Sequence, residues 1–142
     1  KNLHLAQYVS HLIASEECAA ELLGRREPEA ALDALKQFDE QLVGITLGEQ
    51  GFLYKLGDKV RHIPALPVDV VDTNGAGDVF HGAYAYAVAM NWDDEACGLF
   101  ASVTAALSCE TLGSRKGIPA AADVERLLEE RTSKEIDEMQ WV

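Results

Sequence analysis

Apolar residues at positions 76, 79, 80, 83, 84, 87 and 88 recur on one face of a 3.6-residue period. They predict an amphipathic helix entering at Ala76 and running to about Met90. Upstream, "YVSHLIAS" (Tyr8 to Ser15) reads as a buried strand that enters a helix at "EECAAELLG", closed by Gly24 as a C-cap. "EPEAALDALKQF" sets Ala30, Ala31, Leu35 and Phe38 near one helical face, with Pro28 in the first turn. "QLVGITLG" is a β-branched apolar run ending at Gly48, a second strand, and "GFLYKLGDKVRHIPAL" alternates about "LGDK" as a strand-turn-strand unit. "VDVVDT" (Val68 to Thr73) reads as a further strand leading into the Ala76 helix. Asp93 to Cys109 predicts a small-residue helix, "ETLGSRKGIP" a loop, and "AADVERLLEE" another helix before a charged, weakly patterned tail after Thr132 that is expected to fray. Strands alternating with helices imply an α/β layered domain with a largely parallel sheet. No repeat, low-complexity tract or internal linker interrupts it, so the expectation is one domain or part of one.

Charge narrows the partners. Twenty-four acidic residues against 12 Lys plus Arg give a net charge of -12. That excludes the basic footprint of nucleic-acid or anionic-membrane binding. It leaves room for a phosphate ligand, because a few backbone amides can hold an anion in an acidic protein. No apolar run approaches the ~18 residues of a membrane span, and no signal peptide is visible. Cys18, Cys97 and Cys109 lie far apart with no CxxC spacing, as expected of reduced, buried thiols in a cytoplasmic protein. His4, His11, His62 and His81 form no metal-ligand spacing. The chain opens at Lys1 rather than Met, and the expectation is a piece of something longer.

The chemistry concentrates at "DTNGAGDVFHGA", Asp72 to Ala83. Gly75, Ala76 and Gly77 leave backbone N–H groups accessible to an anion at a helix amino terminus, where unpaired amides and the helix dipole are positive. Asp78 follows at once. A carboxylate beside an anion hole repels a resting phosphate, and taking a proton from an attacking hydroxyl would explain its presence. The plainer reading is an acid in a first helical turn, worth ~0.3–1 kcal/mol, and the turn alone does not decide between them. The loop is neither a Walker A loop, since no Gly-Lys-Ser/Thr follows, nor a GxGxxG fingerprint. His81 is open to a substrate role or to packing and capping.

The whole string resembles the second signature of the ribokinase-like (PfkB-type) carbohydrate kinases. "TLGEQG" (Thr46 to Gly51) resembles the family's nucleotide-loop segment, and "FASVTAALSC" with "GSRKGIP" resembles the helix and loop that close over adenine. The resemblance runs from about Tyr8 to Leu128 and corresponds to the carboxyl-terminal half of a family member. It implies an α/β/α ribokinase-like (Rossmann-like) fold. Asp78 would be the catalytic base, with Gly75, Ala76 and Gly77 as the anion hole. Thr46, Gly48 and Gly51 would line the ATP phosphates and ribose, and Ser102 would lie on the adenine side. Asp72 and Asn74 match positions that hold potassium in some members. The family's Asn-x-x-Glu motif, which organises Mg2+, is replaced by Ser15-Glu16-Glu17-Cys18. Magnesium is still implied, since it travels with the ATP phosphates; which residues steer it is left open. "VDVVDTNGAGDVFHGA" followed by "GIP" is nearest in appearance to the sulfofructose kinase branch.

The function so implied is ATP-dependent phosphorylation of a sugar or sugar-derivative hydroxyl in the cytoplasm, with a nucleoside as a weaker acceptor class. The family's Gly-Gly sugar-binding segment and β-sheet lid belong to its amino-terminal half, so this portion alone is expected to be inactive. Oligomeric state stays open, a homodimer through the lid being frequent in the family. The alternative is a non-catalytic nucleotide-binding or interaction module descended from the kinase fold, favoured by the altered Asn-x-x-Glu and disfavoured by the intact Gly-Ala-Gly-Asp.

Overall fold

The computed structural model describes residues 3–24, 27–36 and 42–139. Chain contacts divide the molecule into two compact units, Lys1–Ala65 and Leu66–Val142.

In the first unit a 3-10 turn, Leu3–Tyr8, precedes strand β1, His11–Ser15. Ser15 ends the strand and starts helix α1, Glu16–Leu23: its hydroxyl accepts the Cys18 N–H at 3.1 Å, and Glu16 and Glu17 lie in the positive first turn. Gly24 closes α1 in the left-handed conformation, its N–H donating to Ala20 O. Helix α2, Pro28–Lys36, buries Ala31, Leu32 and Leu35. The buried face is thus rotated from the expected one: Ala30 is exposed and Leu32 is fully enclosed, while Phe38 falls outside the described residues. Strand β2, Leu42–Thr46, follows, then β3, Phe52–Leu56, and β4, Lys59–Ile63.

The sheet order is β1-β2-β3-β4. β1 pairs with β2 in parallel, His11 opposite Leu42, whereas β2–β3 and β3–β4 are antiparallel. The expected largely parallel sheet is therefore a mixed one. Connection length is the reason. Only β1 and β2 are joined through helices, while Leu47–Gly51 and the Gly57–Asp58 turn are too short for a crossover. β1 is also half-buried rather than buried, as one of the two outer strands of the four. Val43 and Ile45 of β2 pack with Ala19, Ala31, Leu32 and Leu35 of the two helices as this unit's core.

In the second unit helix α3, Ala76–Ala89, buries Val79, Phe80, Ala83, Tyr84 and Ala87, the face the periodicity predicts. Helix α4, Asp94–Ser108, is capped by Asp93, whose carboxylate accepts the Ala96 N–H at 2.8 Å. α3 and α4 form the most extensive helix pair, and Val124 of helix α5, Ala121–Met139, is fully buried. The expected frayed tail is helical through Met139.

Residues 68–73 are not a strand, contrary to the sequence expectation. Their donors go elsewhere: the N–H groups of Val71 and Asp72 both reach Cys109 O, at 2.8 and 3.0 Å. Val70 and Val71 are 61% and 60% exposed, so β-branched propensity meets no neighbouring strand here. The cysteines also divide. Cys97 and Cys109 are buried, as expected, but Cys18 is exposed on the first turn of α1. Burial, with Asp94 and then Asp93 adding to it, raises the Cys97 thiol above its ordinary value, which keeps it protonated and inert.

Candidate functional site

The second unit contains a cleft of about 490 Å³ lined from three sides. α3 contributes Asp78, Gly82 and Tyr86; α4 contributes Phe100 and Thr104; the loop after α4 contributes Arg115. Gly75, the N-cap of α3, lines the same end as Asp78.

This end is built by pinning two loops together. Asp72 Oδ1 accepts the Asn74 N–H, and its Oδ2 accepts the Gly113 N–H, each at 2.9 Å. Those two hydrogen bonds, Asn74 first, hold the Asp72 carboxyl below its usual value. Gly75 then turns the chain into α3 with φ 83, and its Cα faces Ser114: a Cβ there would lie 2.7 Å from Ser114 Cβ. Only glycine meets both demands. On the far side, Gly117 sits so close to the Ser108 carbonyl that a Cβ would collide with it. The loop 113–117 is thereby anchored before and after Arg115.

The first turn of α3 presents donors. Val79 N–H makes the first i→i−4 bond, to Gly75 O at 2.9 Å. Ala76 N–H, one of the three expected anion-hole amides, donates to Thr73 O at 3.2 Å. The N–H groups of Gly77 and Asp78 have no acceptor among the described residues, as befits a helix amino terminus. Open space lies where a Gly77 side chain would be. The Asp78 side chain is exposed at the cleft. A bound anion could thus take two amides with a carboxylate beside it.

Other expected residues lie elsewhere. His81 Nδ1 donates to Gly77 O at 2.8 Å, and its ring meets Phe80 edge-on, so it serves its own helix rather than the cleft. Ser102 is 8% exposed, its hydroxyl has no hydrogen-bond partner, and it is not a lining residue. Two residues from Phe100 and Thr104 means a turn of about 200° on a helix, so Ser102 occupies the opposite face of α4. Thr46, Gly48 and Gly51 belong to the first unit. Thr46 ends β2, Gly48 opens the 3-10 turn Gly48–Gln50, and Gly51 closes it, its N–H donating to Gly48 O. Gly51 packs directly on the Ile63 carbonyl and the Pro64–Ala65 backbone, which leaves no room for a Cβ. At Ser15 the hydroxyl is committed to capping α1.

Among the described residues no three His, Cys, Asp or Glu side chains gather as a metal cage. Asp72 commits one lone pair of each oxygen to the loop tie, and Asn74 enters through its backbone. The donor set does not fit a resident divalent ion. No described helix is long and apolar enough to cross a membrane.

Arg115, Ser114, Tyr86 and Thr104 are lining residues that sequence reasoning did not single out. Arg115 had a signal: with Lys116 it is one of two cations between Gly113 and Gly117, in a loop whose sequence resembles the family's adenine loop. Tyr86 had none, since its ring contacts with Trp92 and Phe100, centroids 6.2 and 5.7 Å apart, depend on how α3 meets α4.

A helix amino terminus with free amides and an adjoining acid, on an α/β chain, defines a class of anion-handling proteins. Comparison with known proteins supplies the family. Residues 1–121 match the pfkB family carbohydrate kinase model, and the chain belongs to that family. It is similar to the ribokinase of Lactococcus lactis subsp. lactis, 32% identical over 130 residues, which cover 91% of this chain and 42% of that protein. The solved ribokinase of Thermotoga maritima superposes with a TM-score of 0.81 at 31% identity, covering 90% of this chain and 45% of that one. The Arabidopsis thaliana ribokinase, solved with ribose and ATP, gives 0.81 at 28% identity over 89% of this chain and 43% of that one. The fold is therefore α/β and ribokinase-like, and the chain spans less than half the length of these relatives. Their ribokinase names give the sulfofructose kinase branch no support.

Proposed function

We propose that this chain is the catalytic-base portion of an ATP-dependent sugar kinase. The observation that carries the reading is that Asp78 lines the cleft while the first turn of α3, whose N-cap Gly75 lines it too, keeps the Gly77 and Asp78 amides free of acceptors among the described residues. In the reaction, a sugar hydroxyl loses its proton to the Asp78 carboxylate as its oxygen bonds to the γ-phosphorus of ATP. The bond from that phosphorus to the bridging oxygen breaks, and ADP departs. The amides hold the charge on the transferring group's oxygens, where fixed donors need no reorganisation. ATP is the co-substrate by analogy with the Arabidopsis relative, and Thr46, Gly48 and Gly51 are nucleotide-side residues of the same proposal. A divalent ion would arrive on the nucleotide phosphates, supplying charge neutralisation there.

The test is Asp78→Asn in the full polypeptide, with ADP release measured on Mg-ATP and a panel of pentoses, hexoses, ketoses and nucleosides. The expected outcome is a fall in kcat of about 10²–10⁴-fold with ATP affinity nearly unchanged. Retained turnover would remove Asp78 from the mechanism. The capping role of Ser15, where the family's Asn-x-x-Glu would begin, favours a second reading as a non-catalytic nucleotide-binding module. Nucleotide binding with no transfer to any acceptor would select it.

A further inference from the structure

The cleft has two charged lining residues of opposite sign, Asp78 and Arg115. Asp78 is accounted for by the reading above. Arg115 is not. It stands exposed at the cleft and makes no ion pair among the described residues, unlike Lys55 with Asp33 or Arg126 with Asp123. Its loop is not a loose surface segment either. Gly113 is tied to Asp72 Oδ2, Ser114 seats against Gly75, Gly117 packs on the Ser108 carbonyl, and the Arg115 carbonyl accepts the Ile118 N–H at 3.5 Å. These anchors hold the backbone on both sides of Arg115, whose neighbour Ser114 faces Gly75 at the start of α3, and Arg115 lines the cleft.

A guanidinium lining this cleft has a physical task. Asp78 repels any anion approaching the helix terminus, and two amides offer only partial charges against it. A full positive charge on an anchored loop, carrying a planar fork of donors, offsets that repulsion and can grip phosphate oxygens in two places. We propose that Arg115 is an anion-binding residue of the cleft, contacting a phosphate-type oxyanion on one of the reactants. The proposal rests on the kinase reading of the site. The oxyanion has two sources, the terminal phosphates of the nucleotide or an acidic group on the acceptor, and binding measurements separate them.

The experiment uses Arg115→Gln and Arg115→Lys in the full polypeptide, each checked for an unchanged melting profile. Affinities for ATP, ADP, adenosine, ribose and ribose 5-phosphate are measured as dissociation constants at low and high salt. Arg115→Gln should weaken ATP and ADP, or ribose 5-phosphate, by about ten- to a hundredfold, the scale of one charge-assisted hydrogen-bond pair. Adenosine and ribose should be unaffected, and the salt dependence of the weakened ligand should flatten. Arg115→Lys should recover part of the loss. Loss confined to ATP and ADP assigns the contact to the nucleotide; loss confined to ribose 5-phosphate assigns it to the acceptor. Equal affinities and salt slopes in wild type and Arg115→Gln would overturn the proposal and leave the kinase reading standing. Failure of the wild type to bind any nucleotide would remove both.

Discussion

Replacing Gly75 by Ala should destabilise the second unit, and the size can be worked from two separate strains. Gly75 has φ 83, which costs an L-residue about 1–2 kcal/mol. The new methyl would also lie 2.7 Å from Ser114 Cβ, while the next atom, Ser114 Cα, is at an ordinary 3.6 Å. Carbon atoms pack at about 3.5–4.0 Å, so Ser114 has to retreat by roughly 1 Å, a disturbance on the scale of ~1–3 kcal/mol for overpacking. Reduced freedom in the unfolded chain returns about 0.4–1 kcal/mol. The net loss should be about 2–4 kcal/mol. Ser114→Gly removes the clashing atom and leaves the backbone strain, so the same substitution in that background should cost only about 1 kcal/mol. Urea denaturation of the four proteins, followed by circular dichroism, yields the coupling from the double-mutant cycle. A cost below about 0.5 kcal/mol for Gly75→Ala, or the same cost in both backgrounds, would refute the close approach of the two loops.

Three further outcomes can be read from the same kind of measurement. Asp93→Ala removes the α4 cap and should cost about 1 kcal/mol in urea denaturation, with an unchanged melt arguing against the Ala96 contact. The Asp72 carboxyl titrates below its ordinary 3.8, so its contribution is fully present above that pH and lost as pH falls through the lower folded value; Asp72→Asn should flatten this acid-side slope, and identical slopes would sink the idea. Ser102→Ala deletes a buried hydroxyl without a partner and should leave stability equal or raised by about 1 kcal/mol; a large loss of nucleotide affinity would instead support the adenine-side role expected of Ser102.

The sequence made the second unit's helices legible because their signals are local. The 3.6-residue stripe from Val79 to Ala87 needs no knowledge of partners, and Gly24 is a C-cap for reasons contained in its own turn. The two differences have separate causes. "VDVVDT" has the composition of a strand, but strandhood is a property of pairing, and its amides bond instead to the last carbonyl of α4's cap. Alternation of element types, which suggests a parallel sheet, is silent on connection length. Short links at Leu47–Gly51 and Gly57–Asp58 decide strand direction, and both were on view in the sequence.

At the site, the motif named the residues but not their separate tasks. Gly75, Ala76 and Gly77 read as three equivalent donors, yet Gly75 is a turn under steric constraint, Ala76 donates to Thr73, and Gly77 keeps a free amide beside Asp78. Asp72 illustrates the same point from the other side. A motif match expects a cation ligand there, and in the structure its two oxygens also accept the Asn74 and Gly113 N–H groups. That tie makes Asp72 a condition for everything above it, because it fixes the loop that carries Arg115 against the turn that presents Asp78. Whatever else the Asp72 carboxylate binds, its two hydrogen bonds fasten the loop and the turn that bring Asp78 and Arg115 to one cleft.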